Sequence, residues 1–139
     1  MDASASLRIA DDPPLQATFA DAQVETAPAD LMKFNLSQLF CETDPVRRAA
    51  AFDELWHEDA LICEQGRTRA GRSAVLAVAA SFSARMSGYS CAPASAVLDC
   101  DNFYFLKWEA RDGERICSVG NHVALLRDGR IDTLFLHDD

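Results

Sequence analysis

Apolar residues recur at helical spacing in three segments of the chain. The first predicted helix extends over about 30–42, the second begins at Asp44 and Pro45, and the third extends over about 72–86. Asp44 is a favourable N-cap, and Pro45 suits the first helical position because the N–H that proline lacks would have no partner there. The third segment is apolar on most sides, which predicts a helix buried against a sheet.

Alternating apolar and polar residues predict strands on both sides of the third helix. A short strand is expected over 61–64, and four more are expected over 94–100, 103–110, 115–126 and 130–136. Asp112-Gly113 and Asp128-Gly129 favour tight hairpin turns, because both positions of such a turn tolerate a positive φ. Helices followed by an antiparallel meander predict an α+β fold, with a cone-shaped, curved antiparallel sheet wrapped around three N-terminal helices.

The first residues differ in composition from the rest of the chain. Residues 1–28 are rich in Ala, Asp, Ser and Pro, and Pro13-Pro14 excludes a helix at that point. We therefore predict an extended or mobile N-terminal arm over 1–28 and one folded domain over 29–139. A chain of 139 residues is long enough for one such domain to bury a core.

Composition and charge exclude several classes of function. A net charge of −9 disfavours both a nucleic-acid surface, which needs clustered Lys and Arg, and an anionic membrane surface. No apolar run reaches the roughly 18 residues of a membrane span, and the N-terminus shows no signal-peptide pattern. The five cysteines form no CxxC pair and lie mostly in or beside apolar runs, so we expect reduced, mostly buried thiols and a cytoplasmic location.

Several short motifs follow one another in a characteristic order. They are Glu58-Asp59-Ala60, the helix start Gly71-Arg72-Ser73-Ala74-Val75, Trp108, Gly120 and Asp128-Gly129-Arg130-Ile131. In this order and spacing, over about 30–138, the chain resembles the NTF2-like superfamily, in its SnoaL-like and ketosteroid-isomerase-like branch. The resemblance implies a cone-shaped α+β barrel with a deep pocket, and a homodimer formed through the outer face of the sheet. It does not select a function, since this superfamily contains isomerases, cyclases, dehydratases and non-catalytic binders.

The resemblance to ketosteroid isomerases also implies site residues. Glu64 lies four residues after Ala60, at the distance where those enzymes hold the carboxylate that moves the proton. Asn121 falls where they place a protonated Asp, and its amide can donate a hydrogen bond to an oxyanion at every pH. Their oxyanion Tyr would fall near Leu36, on a helix that contains no Tyr. The alternatives are a strand-end Glu that reaches solvent and an Asn satisfied by neighbouring strands.

Histidines and aromatic residues supply further candidates. Pairing through the Asp128-Gly129 turn is expected to place His122 and His137 on one face, where His122 is either a pocket acid or base or a hydrogen-bonded structural residue. No ligand spacing supports a metal site, and no cofactor motif occurs. Although most aromatic residues are expected in the core, four are candidate ligand-binding walls: Trp56, Tyr104, Trp108 and Phe135.

The sequence therefore predicts a small-molecule pocket protein that binds a small apolar ligand and forms a homodimer. If it is an enzyme, it performs isomerase- or cyclase-type proton transfer on a small apolar carbonyl compound without a cofactor. Glu64 would then be the base, and Asn121 and His122 would steady the enolate. The alternative is a non-catalytic ligand-binding or dimerisation module, which a Glu64 side chain pointing into water would favour.

Overall fold

The computed structural model describes residues 26–138, in which three helices pack with one sheet. The helices are α1 (Pro28–Phe34), α2 (Pro45–Leu55) and α3 (Arg72–Arg85), and α1 continues as a π-helical segment, Asn35–Phe40. The strands are β1 (Trp56–Glu64), β2 (Arg67–Ala70), β3 (Ser90–Pro93), β4 (Leu98–Cys100), β5 (Phe103–Asp112), β6 (Arg115–Arg127) and β7 (Arg130–Asp138). None of the helices in this part of the chain is both long and apolar enough to cross a membrane.

The seven strands form a single mixed sheet that is mainly antiparallel. Their order is β2-β1-β7-β6-β5-β3, with β4 also paired to β5. The pairing of β1 with β7 is parallel, and every other pairing is antiparallel. This arrangement confirms the predicted α+β class with three helices and a mostly antiparallel sheet.

Local sequence signals place several boundaries correctly. The Asp44 side chain accepts a hydrogen bond of 3.0 Å from the backbone N–H of Val46, which caps α2 as predicted. Asp128 and Gly129 both have positive φ, 52° and 78°, in the turn between β6 and β7. Of the predicted arm over 1–28, residues 1–25 lie outside the described residues. Pro28, the last residue assigned to the arm, belongs to α1.

Other parts of the fold differ from the sequence prediction. The strand expected over 94–100 is the shorter β4, Leu98–Cys100, and β3 before it was not predicted. Nor was β2, because 67–70 carries no apolar alternation. The end of the first helix is π-helical, a change of hydrogen-bond pattern that apolar spacing does not encode. None of the five cysteines is fully buried, contrary to prediction: Cys100 is exposed and the other four are half-buried, all as free thiols.

Side chains alternate between the two faces of the sheet. We call the helix-covered face, which carries the buried Ile62, Leu106, Ala124 and Leu134, the inner face. We call the opposite side the outer face; it exposes the large apolar side chains of Leu61, Phe103 and Phe135 to fractions of 39%, 40% and 42%. The core therefore lies between the inner face and the helices.

Gly120 allows a close approach within this core. A Cβ atom at this position would lie 2.5 Å from the Trp108 ring and 2.8 Å from the carbonyl oxygen of His137. Trp108 is fully buried and makes an edge contact with Phe82, with ring centroids 5.0 Å apart. A side chain at position 120 must therefore displace both the packed indole ring and the backbone of β7.

We expect the Gly120→Ala substitution to lower the free energy of unfolding by about 1–3 kcal/mol, the usual effect of overpacking. Chemical denaturation would measure the loss. Trp108→Phe provides the control, because a smaller ring makes room for the new methyl group. The double variant should lose less stability than the sum of the two single variants. Strictly additive losses would show that the methyl group and the indole do not compete for the same space.

Candidate functional site

Glu64 and His122 lie in one row across the inner face. The register pairs Glu64 with Leu136, and Leu136 with His122. Since paired residues face the same side of a sheet and neighbouring strands are about 4.8 Å apart, the Cα atoms of Glu64 and His122 are about 10 Å apart. The row therefore brings a carboxylate and an imidazole onto one face, with an apolar side chain between them.

Two small clefts meet at Glu64. The first, of about 90 Å³, is lined by Glu64, Gln65, Leu136, His137 and Asp138. The second, of about 30 Å³, is lined by Glu64 together with Ile62, Gln65, Arg67, Arg69 and Val78. The Glu64 side chain is half-buried and ends β1, where the turn at Gln65 and Gly66 reverses the chain. The carboxylate thus lies at the opening of the inner face, in contact with space that a small ligand can enter.

His122 is enclosed by aromatic rings. Its ring centroid lies 4.9 Å from that of Phe40, 6.1 Å from that of Phe82 and 6.4 Å from that of Trp108. The side chain is fully buried, and within residues 26–138 neither ring nitrogen has a hydrogen-bond partner. Each unsatisfied buried polar atom costs on the order of 1–3 kcal/mol, so two nitrogens facing apolar walls are an expensive feature of this core.

Burial sets the charge of this histidine. It lowers the pKa of His122 from its ordinary value to about 3, because the imidazolium cation loses its hydration inside the core. The ring is therefore neutral at pH 7. A neutral imidazole has one N–H donor and one nitrogen acceptor, so His122 can donate a hydrogen bond to a ligand oxygen without carrying charge.

Asn35 is a buried polar residue that the sequence analysis missed. It begins the π-helical segment and is fully buried, and its side-chain oxygen accepts a 2.7 Å hydrogen bond from the Trp56 indole N–H. Its amide nitrogen has no partner in the part of the chain that the structure describes. The sequence signal that could have revealed this residue was an Asn within an otherwise apolar helical stripe. Such an Asn can serve as the acceptor that a buried indole N–H needs. Trp56 is thereby fixed as a core residue.

Asn121 is not on the inner face, and the prediction that it faces the pocket is wrong. It pairs with Lys107 and His137, whereas its neighbours Gly120 and His122 are buried on the inner side. Because successive residues of a strand point to opposite faces, Asn121 lies on the outer face. The inner position next to it belongs to His122.

The expected juxtaposition of His122 and His137 is also wrong. The β6–β7 pairing shifts at a bulge, because Leu126 pairs with Ile131 while Leu125 pairs with Thr133. One residue of β7, Asp132, is left between these two pairs, and it moves every later partner by one position. His122 consequently pairs with Leu136, and His137 lies on the opposite face, beside Asn121.

The four predicted ligand-binding aromatic residues occupy three different environments. Tyr104 is half-buried on the inner face, where it pairs with Ala124. Trp56 and Trp108 are fully buried core residues that line neither cleft at Glu64. Phe135 is on the outer face, so the prediction that it forms a pocket wall is wrong. The bulge at Asp132 moves it to that face, as it does His137. Among the described residues, Phe40 and Phe82, rather than Phe135, enclose His122.

No titratable cluster of the kind that binds metals is found within 26–138. No group of three or more His, Cys, Asp or Glu side chains is arranged to hold an ion there.

The charged groups near the clefts are partly neutralised, since Arg85 of α3 pairs with Asp138 of β7 at 3.1 Å. This ion pair links α3 to the end of β7 beside the larger cleft.

Comparison with known proteins identifies the fold. No protein-family model and no curated protein sequence matches the chain. A candidate isomerase of the SnoaL-like family from Agrobacterium tumefaciens aligns with a TM-score of 0.66 and 20% identity, over 80% of this chain and 93% of that one. An NTF2-like protein of unknown function from Cytophaga hutchinsonii aligns with a TM-score of 0.58 and 11% identity, over 84% and 94%.

A third solved structure carries the name of an enzyme class. A candidate polyketide cyclase from Sinorhizobium meliloti aligns with a TM-score of 0.51 and 16% identity, over 78% of this chain and 94% of that one. At such identities a structural likeness establishes the fold and not the activity. The chain has the NTF2-like, cystatin-like fold that the sequence resemblance implied.

Proposed function

We propose that this chain binds a small apolar carbonyl compound between Glu64 and His122 and transfers a proton on it without a cofactor. The observation that carries the proposal is the row formed by Glu64, Leu136 and His122 on the inner face. It combines a carboxylate at an open cleft with a buried, neutral hydrogen-bond donor that has no partner among the described residues. Proton abstraction beside a carbonyl group needs these two functions.

The two residues have different roles in this proposal. Glu64 is the general base, because its carboxylate lines both clefts and can contact a C–H group of a ligand bound there. His122 donates a hydrogen bond to the carbonyl oxygen as negative charge develops on it. A neutral donor within low-dielectric surroundings stabilises such an oxyanion, and Leu136 supplies an apolar floor between the two groups.

The size of the clefts favours a small ligand. Volumes of about 90 Å³ and 30 Å³ are well below the several hundred Å³ that drug-sized ligands occupy. His122 lines neither cleft, so contact with it requires the rings of Phe40 or Phe82 to move aside. The likeness to a candidate isomerase of the SnoaL-like family and to a candidate polyketide cyclase supports isomerase- or cyclase-type chemistry as the reaction class.

Deuterium exchange tests this proposal without knowledge of the natural substrate. Small cyclic ketones and 1,3-diketones are incubated in D₂O with the protein, and loss of the hydrogen next to the carbonyl is followed by proton NMR. We expect faster exchange than with buffer alone for at least one member of the panel. Exchange at the buffer rate for the whole panel would contradict catalysis.

The second candidate is a non-catalytic dimerisation or ligand-binding module, favoured by the exposed apolar residues of the outer face. Leu61 and Phe103 lie at the two ends of one row across four strands, with the half-buried Leu125 and the buried Thr133 between them, and Phe135 lies in the next row. Exposed apolar patches of this kind usually mark an interaction surface. We propose that a second copy of the chain covers this face, whether or not the inner site is catalytic.

We expect the protein to be a homodimer at micromolar concentration, and the Phe135→Asp substitution to make it monomeric. A charge at this point would have to be buried without a partner when two outer faces meet. Sedimentation velocity measures the change. Val46→Asp is the matched control, because Val46 is 76% exposed but lies on α2, away from the sheet. A monomeric parent protein, or equal dissociation of both variants, would contradict this interface.

We also propose a cytoplasmic location. All five cysteines are free thiols, as is usual in a reducing compartment. Alkylation of protein taken directly from its host cell would count the thiols, and five modified cysteines are expected. A disulfide already present in that sample would contradict a reducing location.

A further inference from the structure

Phe82 is the ring with which α3 covers His122. Its centroid lies 6.1 Å from that of His122, and it makes edge contacts with Phe40 at 5.5 Å and with Trp108 at 5.0 Å. These three neighbours are fully buried. Because a protein interior is close-packed, the ring cannot move further into the core without overlapping one of them. A displacement of Phe82 that uncovers His122 must therefore be directed toward the surface.

Arg85 lies on the surface side of this ring. It is in the last turn of α3, three residues after Phe82, and residues at that spacing share one side of a helix. The guanidinium carbon of Arg85 is 5.4 Å from the centre of the Phe82 ring, which is the distance of a cation–π contact. Since the Arg85 side chain is 45% exposed, it covers Phe82 on the side that faces water.

Asp138 holds Arg85 in this position. Its carboxylate accepts a hydrogen bond of 3.1 Å from the Arg85 guanidinium. Asp138 pairs with Gly120, so it lies on the inner face, in the row next to that of His122. Asp138 also lines the larger cleft. A chain of contacts therefore connects this cleft to the ring that covers His122, from Asp138 to Arg85 and from Arg85 to Phe82.

We propose that Arg85 gates access to His122. While Arg85 is paired with Asp138 it retains Phe82 over the imidazole, and a molecule in the larger cleft reaches His122 only after this ion pair opens. A partly exposed ion pair and a partly exposed cation–π contact are both weak, so the gate can open without unfolding of α3. Its part in turnover rests on the proposed function, but its control of access to His122 does not.

Arg72, at the other end of α3, provides a matched control. It donates a hydrogen bond of 2.8 Å to Asp53, and its guanidinium carbon lies 5.9 Å from the centre of the Phe52 ring. Its side chain is 42% exposed, nearly as much as that of Arg85. Within residues 26–138, however, no ring contact joins Phe52 to His122. Arg72→Ala therefore removes the same two kinds of contact from the same helix without uncovering His122.

The experiment treats the full chain at pH 7 with diethyl pyrocarbonate, which reacts with neutral imidazole nitrogens, and follows each histidine by peptide mass spectrometry. The exposed His137 reports the dose of reagent. We expect His122 to be modified about three- to thirty-fold faster in Arg85→Ala than in the parent protein, the factor that two such contacts supply. Arg72→Ala should be modified at the rate of the parent protein.

Salt distinguishes this gate from a purely structural role of Arg85. Exposed ion pairs are screened at high ionic strength, so an increase from about 0.05 M to about 0.5 M salt should speed the modification of His122 in the parent protein. The same change should have no effect in Arg85→Ala, which has no ion pair to screen. Asp138→Asn removes the ion pair but leaves Arg85 over the Phe82 ring, so its rate should lie between those of the parent protein and Arg85→Ala.

Three results would overturn the gate. The first is equal modification of His122 in Arg85→Ala and the parent protein, and the second is an equal increase in Arg72→Ala. The third is an increase no larger than that of the unfolded fraction, which chemical denaturation of each variant measures, because global unfolding also exposes His122. If Arg85→Ala fails to fold, Asp138→Asn and the salt dependence of the parent protein decide the question. Since no turnover is measured, ketone exchange at the buffer rate would contradict the proposed function and leave the gate standing.

Discussion

Acidification from pH 7 to pH 4 should remove about 3 kcal/mol from the free energy of unfolding through His122 alone. In the unfolded chain a histidine has a pKa of about 6.5, whereas burial lowers the pKa of His122 in the fold to about 3. Between these values the unfolded state binds one more proton than the folded state, so stability falls by about 1.4 kcal/mol per pH unit as the pH decreases. This contribution is fully present above pH 6.5 and is lost progressively below it.

The groups around His122 do not offset this loss. Phe40, Phe82 and Trp108 contact the ring, and Leu106 and Leu136 flank it on the neighbouring strands. None of these side chains carries a charge that would stabilise an imidazolium ion. Glu64, which is about 10 Å away in the same row, is too distant and too accessible to water to replace the lost hydration.

The His122→Leu variant isolates the effect. Leucine removes the titrating group and both unpartnered nitrogens while keeping an apolar side chain of similar size, so we expect stability at pH 7 to be at least equal to that of the parent protein. Urea denaturation at several pH values measures both quantities. Exposed carboxylates such as Asp53, whose pKa is lowered by its hydrogen bond to Arg72, affect both proteins equally. A pH dependence between 6.5 and 4 that is the same in both proteins would contradict a neutral, buried His122.

The fold was predictable because its signals are local. Asp44 caps α2 and Asp128-Gly129 turns the chain whatever the rest of the structure does, since each acts on its own backbone. Apolar spacing likewise defines α3, because a buried helix needs apolar residues on most of its sides.

The site was less predictable because it depends on which face of a strand a residue occupies. A displacement of one residue moves a side chain to the opposite face, and Asn121 lies on the outer face while the next residue, His122, lies on the inner one. The bulge at Asp132 had the same effect on His137 and Phe135, and nothing in the local sequence marks it. Glu64 was placed correctly on the inner side, since it lies two residues after the buried Ile62 on an unbroken stretch of β1.

Replacement of Glu64 by Gln should slow ketone exchange in D₂O by about 10²–10⁴-fold, the usual contribution of a general base. Glutamine keeps the shape of the side chain but cannot take a proton at neutral pH. Because Glu64 is half-buried and lines open clefts, the substitution should change the free energy of unfolding by less than about 0.5 kcal/mol. Proton NMR measures the exchange rate, and chemical denaturation measures the stability.

Asn121→Ala is the matched control for this prediction. Asn121 carries the amide group that sequence reasoning placed in the site, but it lies on the outer face. Its removal should leave the exchange rate unchanged. A large loss of exchange in Asn121→Ala, together with normal exchange in Glu64→Gln, would place the chemistry on the other side of the sheet.

If Glu64 and His122 act on one bound ligand, the effects of replacing them must be coupled, and the double variant in the exchange assay measures this coupling. The rates of the parent protein, Glu64→Gln, His122→Leu and the double variant form one cycle. Residues that act as a unit are strongly non-additive, so we expect the double variant to exchange about as slowly as the slower single variant. Losses that multiply in full, or a double variant as fast as the parent protein, would contradict a shared site.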